Sequence, residues 1–210
     1  MVTTILADDH VLVRQGLRSF LINAGVAVLG EASDGHEAIK LVRELMPDVA
    51  ILDLNMPRLN GVDAAKEILN SPENVSKVIL LTMYSEQHYV IAALSAGIHG
   101  YVLKNRAANT LLDAIQEVRL GHTYLSPDIS RSVMDTIRTR GETDPELLSV
   151  RERQVLQLVA EGMSTKAIAE LLSISAKTAE SHRTRIMQKL GIHDTAGLVM
   201  YAIRKGIIQP

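Results

Sequence analysis

Four places in the first half of the chain carry side chains that could do chemistry together: the Asp8-Asp9 pair, Asp53, Thr82 and Lys104. Three clustered carboxylates repel, and each raises the others' pKa unless a cation joins them. Donors that are all oxygen favour a hard ion, and Mg2+ binds through one or two carboxylates together with waters and a phosphate. A phosphate in such a cluster needs a hydrogen-bond donor and a positive charge, which Thr82 and Lys104 would supply. The chain has no cysteine and no histidine falls within this pattern, so the plausible nucleophile is a carboxylate. Asp53 attacking phosphorus would give an acyl phosphate, an energy-rich and short-lived mark.

Chemistry of this kind requires elements that bring the residues together. Val49 to Leu52 is an apolar run too short for a helix and β-branched enough for a strand buried on both faces. It delivers Asp53 at its carboxyl end, and Pro57 then blocks further regular pairing. Similar runs recur at 4–7, 26–30, 78–81 and 100–103. Between and after them, segments 11–22, 37–45, 62–69, 89–96 and 111–120 show helical spacing, as Ile39, Val42 and Leu45 illustrate. Five such units predict an α/β fold: a five-stranded, parallel, doubly wound (flavodoxin-like) sheet with right-handed crossovers. In open parallel sheets ligands bind at the carboxyl ends of the strands. The first strand ends in Asp8-Asp9, the third in Asp53, the fourth in Thr82 and the fifth in Lys104. A lone Asp after a strand more often just opens a turn. Five polar groups at equivalent strand ends argue for a site.

The 210 residues fit one large domain or two ordinary ones. Hydrophobic residues make up 47%, with one Phe and no Trp, so the expected core is aliphatic. The absence of Cys excludes a disulfide framework and a thiolate metal site, and it suits the cytoplasm. No signal peptide is readable, and no apolar run approaches the roughly 18 residues that would span a membrane. The net charge of −2 conceals an asymmetry. Residues 1–122 hold 10 Lys/Arg against 14 Asp/Glu, residues 123–146 hold 3 against 5, and residues 147–210 hold 9 against 5. An acidic front and a basic back suggest different partners for the two ends.

Residues 1–122 resemble the receiver domain of a bacterial two-component response regulator. The resemblance is carried by Asp8-Asp9, Asp53, Met56-Pro57 with Gly61, Thr82, Tyr101 and Lys104. It implies that Asp53 takes a phosphoryl group from a sensor histidine kinase. It also implies that Asp9, Asp53 and the backbone carbonyl of Asn55 ligate Mg2+, with Asp8 helping through water. Thr82 and Tyr101 match the pair whose reorientation signals phosphorylation. Asn105 departs from the pattern, since many receivers carry Pro after the lysine, and this leaves the Lys104–Asn105 geometry open.

Residues 123–146 read as a linker. Ser126-Pro127-Asp128 opens a helix striped by Ile129, Val133, Met134 and Ile137, and 140–145 is flexible punctuation. A passive tether and a docking helix fit equally well. From residue 147 the pattern is helical. Ser149 with Glu152 forms a capping box, a short helix spans 165–172, residues 173–175 turn the chain, and a basic helix spans 176–190. This is the helix-turn-helix arrangement, whose second helix enters the DNA major groove. The stretches from Ser149, Thr178 to His182, and Ile186 to Gly191 resemble the LuxR-type (NarL/FixJ) DNA-binding domain. The resemblance puts Glu180, Ser181 and Thr184 at groove-facing positions and implies a DNA partner. Lys177, Arg183, Arg185 and Lys189 would contact phosphates, which position without specifying. Many relatives place Lys where Glu180 and Thr184 stand here, so sequence preference does not carry over. Glu180 could accept from a cytosine amino group or pair with Arg183 or Thr184. A last helix at 196–205 would close this domain's core and, by the resemblance, pair DNA-bound subunits.

The resulting expectation is a phosphorylation-switched transcription factor with Mg2+ as cofactor, forming a homodimer when phosphorylated. An aspartyl-phosphate phosphatase would need a second Asp two residues after the nucleophile, where the chain has Asn55. A pure protein-interaction switch would not need the basic tail.

Overall fold

The strand expected at 49–52 forms as β3 (Val49–Asp53), and all five of its residues are buried. The computed structural model describes residues 1–130 and 147–208, and the chain divides into two compact units, 1–141 and 142–210. In the first unit β3 is accompanied by β1 (Thr3–Ala7), α1 (Val11–Asn23), β2 (Ala27–Ala32) and α2 (Gly35–Leu45) before it. After it come α3 (Gly61–Leu69), β4 (Lys77–Thr82), α4 (Gln87–Ser95), β5 (Gly100–Leu103), α5 (Ala107–Arg119) and β6 (Tyr124–Leu125).

The strand order is β2-β1-β3-β4-β5-β6, and every pairing is parallel. The sheet therefore has six strands where five were expected. The sixth is two residues long, Tyr124 and Leu125 beside Gly100 and Tyr101, too short to show a periodicity of its own. Successive residues face opposite sides of the sheet. Ile5, Leu52 and Leu80 join α2, α3 and α4 in one core, while Leu6, Ile51, Ile79 and Leu81 join α1 and α5 in the other. Each such side chain taken from water contributes about 1.5–3 kcal/mol. The core is aliphatic with the exception of two tyrosines, Tyr89 and Tyr101.

Register places the strand ends side by side. Ala7 lies opposite Leu52, Asp53 opposite Leu81, and Thr82 opposite Leu103. Asp8, Asp53, Thr82 and Lys104 thus leave the sheet within two residues of one another. Gly61 opens α3 directly against β3: its N–H donates to Leu54 O at 2.8 Å, and a Cβ there would stand 2.0 Å from the Asp53 carbonyl. Only glycine admits that approach.

Residues 127–130 are helical, and Ile129 is buried in the first core. The rest of the expected linker helix (Val133, Met134, Ile137) and the punctuation at 140–145 lie outside the described residues.

The second unit is made of α6 (Val150–Ala160), α7 (Thr165–Leu171), α8 (Ala176–Leu190) and α9 (Thr195–Arg204). The Ser149/Glu152 capping box is present, and Ser164, Ser175 and Asp194 cap the other three helices. Gly191 in the left-handed region (φ 64°) ends α8. Leu156, Leu158, Ile168, Ala179, Ile186, Leu198 and Ala202 form the core.

Candidate functional site

The carboxyl edge of the first sheet gathers the strand-end residues around one ammonium group. Lys104 Nζ lies 2.7 Å from Asp8 Oδ2 and 2.9 Å from Asp53 Oδ2. Asp8 and Asp53 are buried, whereas Asp9 opens to solvent. Asp8 is fixed twice more: its Oδ1 accepts from His10 N–H at 2.9 Å, and the Arg14 guanidinium donates to its backbone carbonyl. Burial pushes Asp53 up to about 6, with Lys104 pulling down and Asp8 and Asp9 pushing further up. Burial alone would lower the Lys104 ammonium, but Asp53 and Asp8 outweigh it and hold it above its ordinary value. Ligand atoms of Asp8, Asp9, His10 and Asp53 all lie within 4.8 Å of one another. Three carboxylates against one ammonium leave an excess of negative charge, the condition that a divalent cation relieves.

Thr82 is buried, and its Oγ1 accepts from Tyr84 N–H at 3.1 Å. The Tyr84 carbonyl in turn accepts from Tyr101 Oη–H at 2.9 Å. One peptide segment therefore links the Thr82 hydroxyl to the Tyr101 ring. Tyr101 is fully buried and already turned inward, and burial raises its hydroxyl pKa. Asn55 is half-buried two residues past Asp53. Among the described residues no peptide is cis, so Lys104–Asn105 is trans.

Two members of this site were missed in the sequence. His10 directly follows the acid pair, and its Nδ1 reaches 2.8 Å from Asp9 Oδ1. Contrary to the expectation that no histidine falls within the pattern, this ring sits three residues beyond the end of β1 and folds back onto the acids. Tyr84 acts through its backbone, which no residue type announces.

In the second unit α8 presents two opposite stripes. Ala179, Arg183, Ile186 and Leu190 follow each other at helical spacing on the inward side, where Ala179 and Ile186 are buried. Lys177, Ser181, Thr184 and Gln188 run along the outward side, and all four are exposed. Glu180 and Arg185 flank that stripe and are also exposed. Gln188 was not singled out in the sequence, though its spacing from Thr184 would have found it.

Two expected phosphate contacts are engaged within the domain. Lys189 Nζ lies 2.6 Å from Glu152 Oε2, a buried carboxylate that also serves the capping box. Burial pushes Glu152 up, but Lys189 and the Ser149 donors more than offset it and hold it below the usual carboxylate value. Lys189 stands at the flank of the core face, and its long stem bridges to the start of α6. Arg183 donates to Thr195 Oγ1 at 2.7 Å. Glu180 pairs with neither expected neighbour through its carboxylate. That group accepts from Thr165 Oγ1 at 3.1 Å, while its backbone carbonyl accepts from Thr184 Oγ1 at 3.0 Å. Among the described residues no ion pair engages Lys177 or Arg185.

An acid pocket with a bridging lysine on a doubly wound sheet, followed by a four-helix unit with a helix-turn-helix, defines a switchable DNA-binding regulator. Residues 4–116 match the response regulator receiver domain family, and residues 146–202 match the bacterial regulatory proteins of the luxR family. The chain belongs to the response regulators with a LuxR-type DNA-binding domain, which are transcription factors and not enzymes. It is 38% identical to the uncharacterized transcriptional regulatory protein YxjL of Bacillus subtilis, over 97% of this chain and 96% of that one. It is 39% identical to the oxygen regulatory protein NreC of Staphylococcus aureus, over 98% of both. Among solved structures it resembles the response regulator RcsB in complex with DNA, at 31% identity and a TM-score of 0.60, covering 95% of this chain and 96% of that one. Receiver domains bind Mg2+ through an acidic pocket, and the Asp8, Asp9 and Asp53 cluster is of that kind. Among the described residues no helix is long and apolar enough to cross a membrane.

Proposed function

We propose that Asp53 is the phosphoacceptor of a cytoplasmic regulator, that a sensor histidine kinase is the donor, and that phosphorylation drives promoter binding by α8. The observation that carries this reading is the Lys104 ammonium within 2.9 Å of both Asp8 and Asp53. It neutralises part of the buried charge and stands where an incoming phosphoryl oxygen needs a cation. An Asp53 oxygen attacks phosphorus; the new P–O bond replaces the P–N bond of the kinase phosphohistidine, whose imidazole leaves with the electron pair. Asp9, Asp53 and the Asn55 carbonyl would hold Mg2+, with Asp8 acting through water. The ion would supply charge neutralisation at the phosphoryl oxygens. Thr82 donates its hydroxyl to one of those oxygens. Because Tyr84 N–H already rests on Thr82, that movement is transmitted to the peptide holding Tyr101.

In this reading residues 1–122 receive the signal, 123–146 link, and 147–210 bind double-stranded DNA. Lys177 and Arg185 contact phosphates, while Ser181, Thr184 and Glu180 face base edges. Arg183 and Lys189 leave the proposed contact set because each already has an internal partner. The phosphorylated receivers pair through α1, which exposes Val11, Leu12, Val13 and Ile22, with Leu120 exposed just after α5. Among the described side chains of α4 no large hydrophobic is exposed, which favours α1 over the competing α4 face. Two modules on half-sites about one helical turn apart would read a roughly palindromic operator.

The test is phosphorylation of the full chain by acetyl phosphate with Mg2+, read as alkali-labile phosphate, alongside sedimentation velocity and DNA binding with beryllofluoride. Asp53→Asn is expected to abolish the phosphate and the response. Normal phosphate on that variant overturns the assignment. A rise in DNA affinity without a change of mass would replace dimerisation by release of an occluded α8.

A further inference from the structure

The short strand β6 ends where the linker helix begins, and the residue at that joint is Ser126. It lies beyond residues 4–116, the stretch that matches the receiver family, yet it is fully buried. Its backbone N–H donates to Tyr101 O at 3.0 Å, which extends the β5–β6 ladder past Leu125. Its carbonyl is taken by the helix, accepting from Ile129 N–H at 2.9 Å and Ser130 N–H at 3.0 Å. In a strand that continued, this carbonyl would accept from Leu103 N–H instead. The side chain fills that place. Ser126 Oγ accepts from Leu103 N–H at 3.2 Å and donates to Tyr101 O at 3.3 Å. Leu103 is the last residue of β5 and is buried, so its N–H must find a partner inside the protein.

We propose that Ser126 is a positioning residue for phosphoryl transfer to Asp53: by holding Leu103 N–H it fixes the backbone from which Lys104 reaches the pocket. The inference rests on the phosphoacceptor reading above. Lys104 follows Leu103 directly, and its ammonium holds Asp8 and Asp53. On its other side Arg106 lies 3.1 Å from Asp128, so the first turn of the linker helix grips the chain both before and after Lys104. Ile129 anchors that turn in the core that also contains Tyr101. Ser126 touches neither the acids nor Lys104 and acts only through the peptide of Leu103. Such indirect support matters because a misplacement of about 1 Å can cost a reaction as much as 100-fold. Alanine at 126 would leave Leu103 N–H buried without an acceptor, and the strand end would have to shift to reach one. The opening residues of the linker thus belong to the support of the pocket.

The test compares Ser126→Ala and Ser126→Thr in the full chain, with acetyl phosphate and Mg2+ as the phosphorylation reagents. The rate of Asp53 phosphorylation should fall by about tenfold in Ser126→Ala and return to within about threefold of wild type in Ser126→Thr, which keeps the hydroxyl. Amide exchange at Leu103, followed by nuclear magnetic resonance, should speed up by about tenfold or more in Ser126→Ala alone. Mg2+ affinity, measured by calorimetry, should change by less than about twofold, because the expected ligands lie on and after other strands. A normal rate in Ser126→Ala overturns the proposal, whether or not Leu103 loses its protection. A lost rate that Ser126→Thr does not restore, or that comes with an equal loss of Mg2+ affinity, assigns the effect to general packing and also overturns it. Lys104→Met separates this inference from the reading beneath it. If that variant is phosphorylated normally, the role of Lys104 and the inference fall together. If it fails while Ser126→Ala reacts normally, only the role of Ser126 falls.

Discussion

The two units use charge in opposite ways. The receiver buries Asp8 and Asp53 around Lys104 at the ends of different strands, so its function depends on an array fixed by the sheet. The DNA-binding unit exposes Lys177, Ser181, Thr184 and Gln188 on one side of one helix, so its function depends on rotational phase. Buried charges are few, coupled and individually indispensable. Exposed ones are individually weak and act in number. Substitutions should therefore produce losses of different size and kind in the two places.

The largest expected effect lies in the receiver. Lys104→Met leaves two buried carboxylates without their cation and removes the positive charge that the proposed phosphoryl transfer requires. The rate of Asp53 phosphorylation by acetyl phosphate should fall by about 100-fold or more, the scale of a lost charge-stabilising donor. A loss under threefold would mean that the pocket is no more tightly coupled than the surface of α8.

A smaller effect should separate the two stripes of α8. Arg185→Ala should weaken binding to all DNA sequences and reduce the slope of log affinity against log salt by about one. Arg183→Ala should leave that slope unchanged, because its guanidinium is spent on Thr195. Equal salt slopes for the two variants would erase the distinction between inward and outward faces.

The smallest effect, and the sharpest contrast, is in stability against pH. Asp53 is raised from 3.8 to about 6 without a metal ion. A carboxyl with a raised folded pKa favours the folded state below its unfolded value and loses that contribution as pH rises through the folded value. Asp53→Asn should thus leave stability at pH 3.5 nearly unchanged and increase it at pH 7.5 by about 1–3 kcal/mol when Mg2+ is absent. Glu152 is lowered from 4.5, so its contribution is present above that pH and is lost as pH falls below it. Thermal unfolding of the full chain, followed by probes in each unit, should show opposite pH trends. Lys189→Met should flatten the second trend at a cost of about 1–2 kcal/mol, below that of a wholly buried pair because Lys189 is partly solvated.

The same contrast decides what was legible in the sequence. Strand ends are marked by apolar runs that stop abruptly, so Asp8, Asp53, Thr82 and Lys104 could be aligned before any coordinates. The register that makes them neighbours follows from parallel pairing. β6 was not legible because two residues carry no period, and Tyr84 was not because its contribution is a peptide group. On α8 residue type alone did not reveal that Arg183 and Lys189 have partners within the domain, Arg183 reaching Thr195 and Lys189 reaching Glu152. Helical spacing measured from Ala179 and Ile186 would have separated them from Lys177 and Arg185.

The close alignment of the strand ends also bears on how such a chain can vary over evolutionary time. A loop beyond a strand end can lengthen at slight cost, since closure entropy grows only with the logarithm of its length. An insertion inside β3 would instead turn every following side chain to the other face and move Asp53 out of step with Ala7 and Leu81. Gly61 tightens the constraint, because α3 begins in contact with the Asp53 carbonyl and leaves no slack to absorb a shift. Insertions and deletions in descendants of this chain should therefore accumulate in segments such as 71–76 and hardly ever within 49–61.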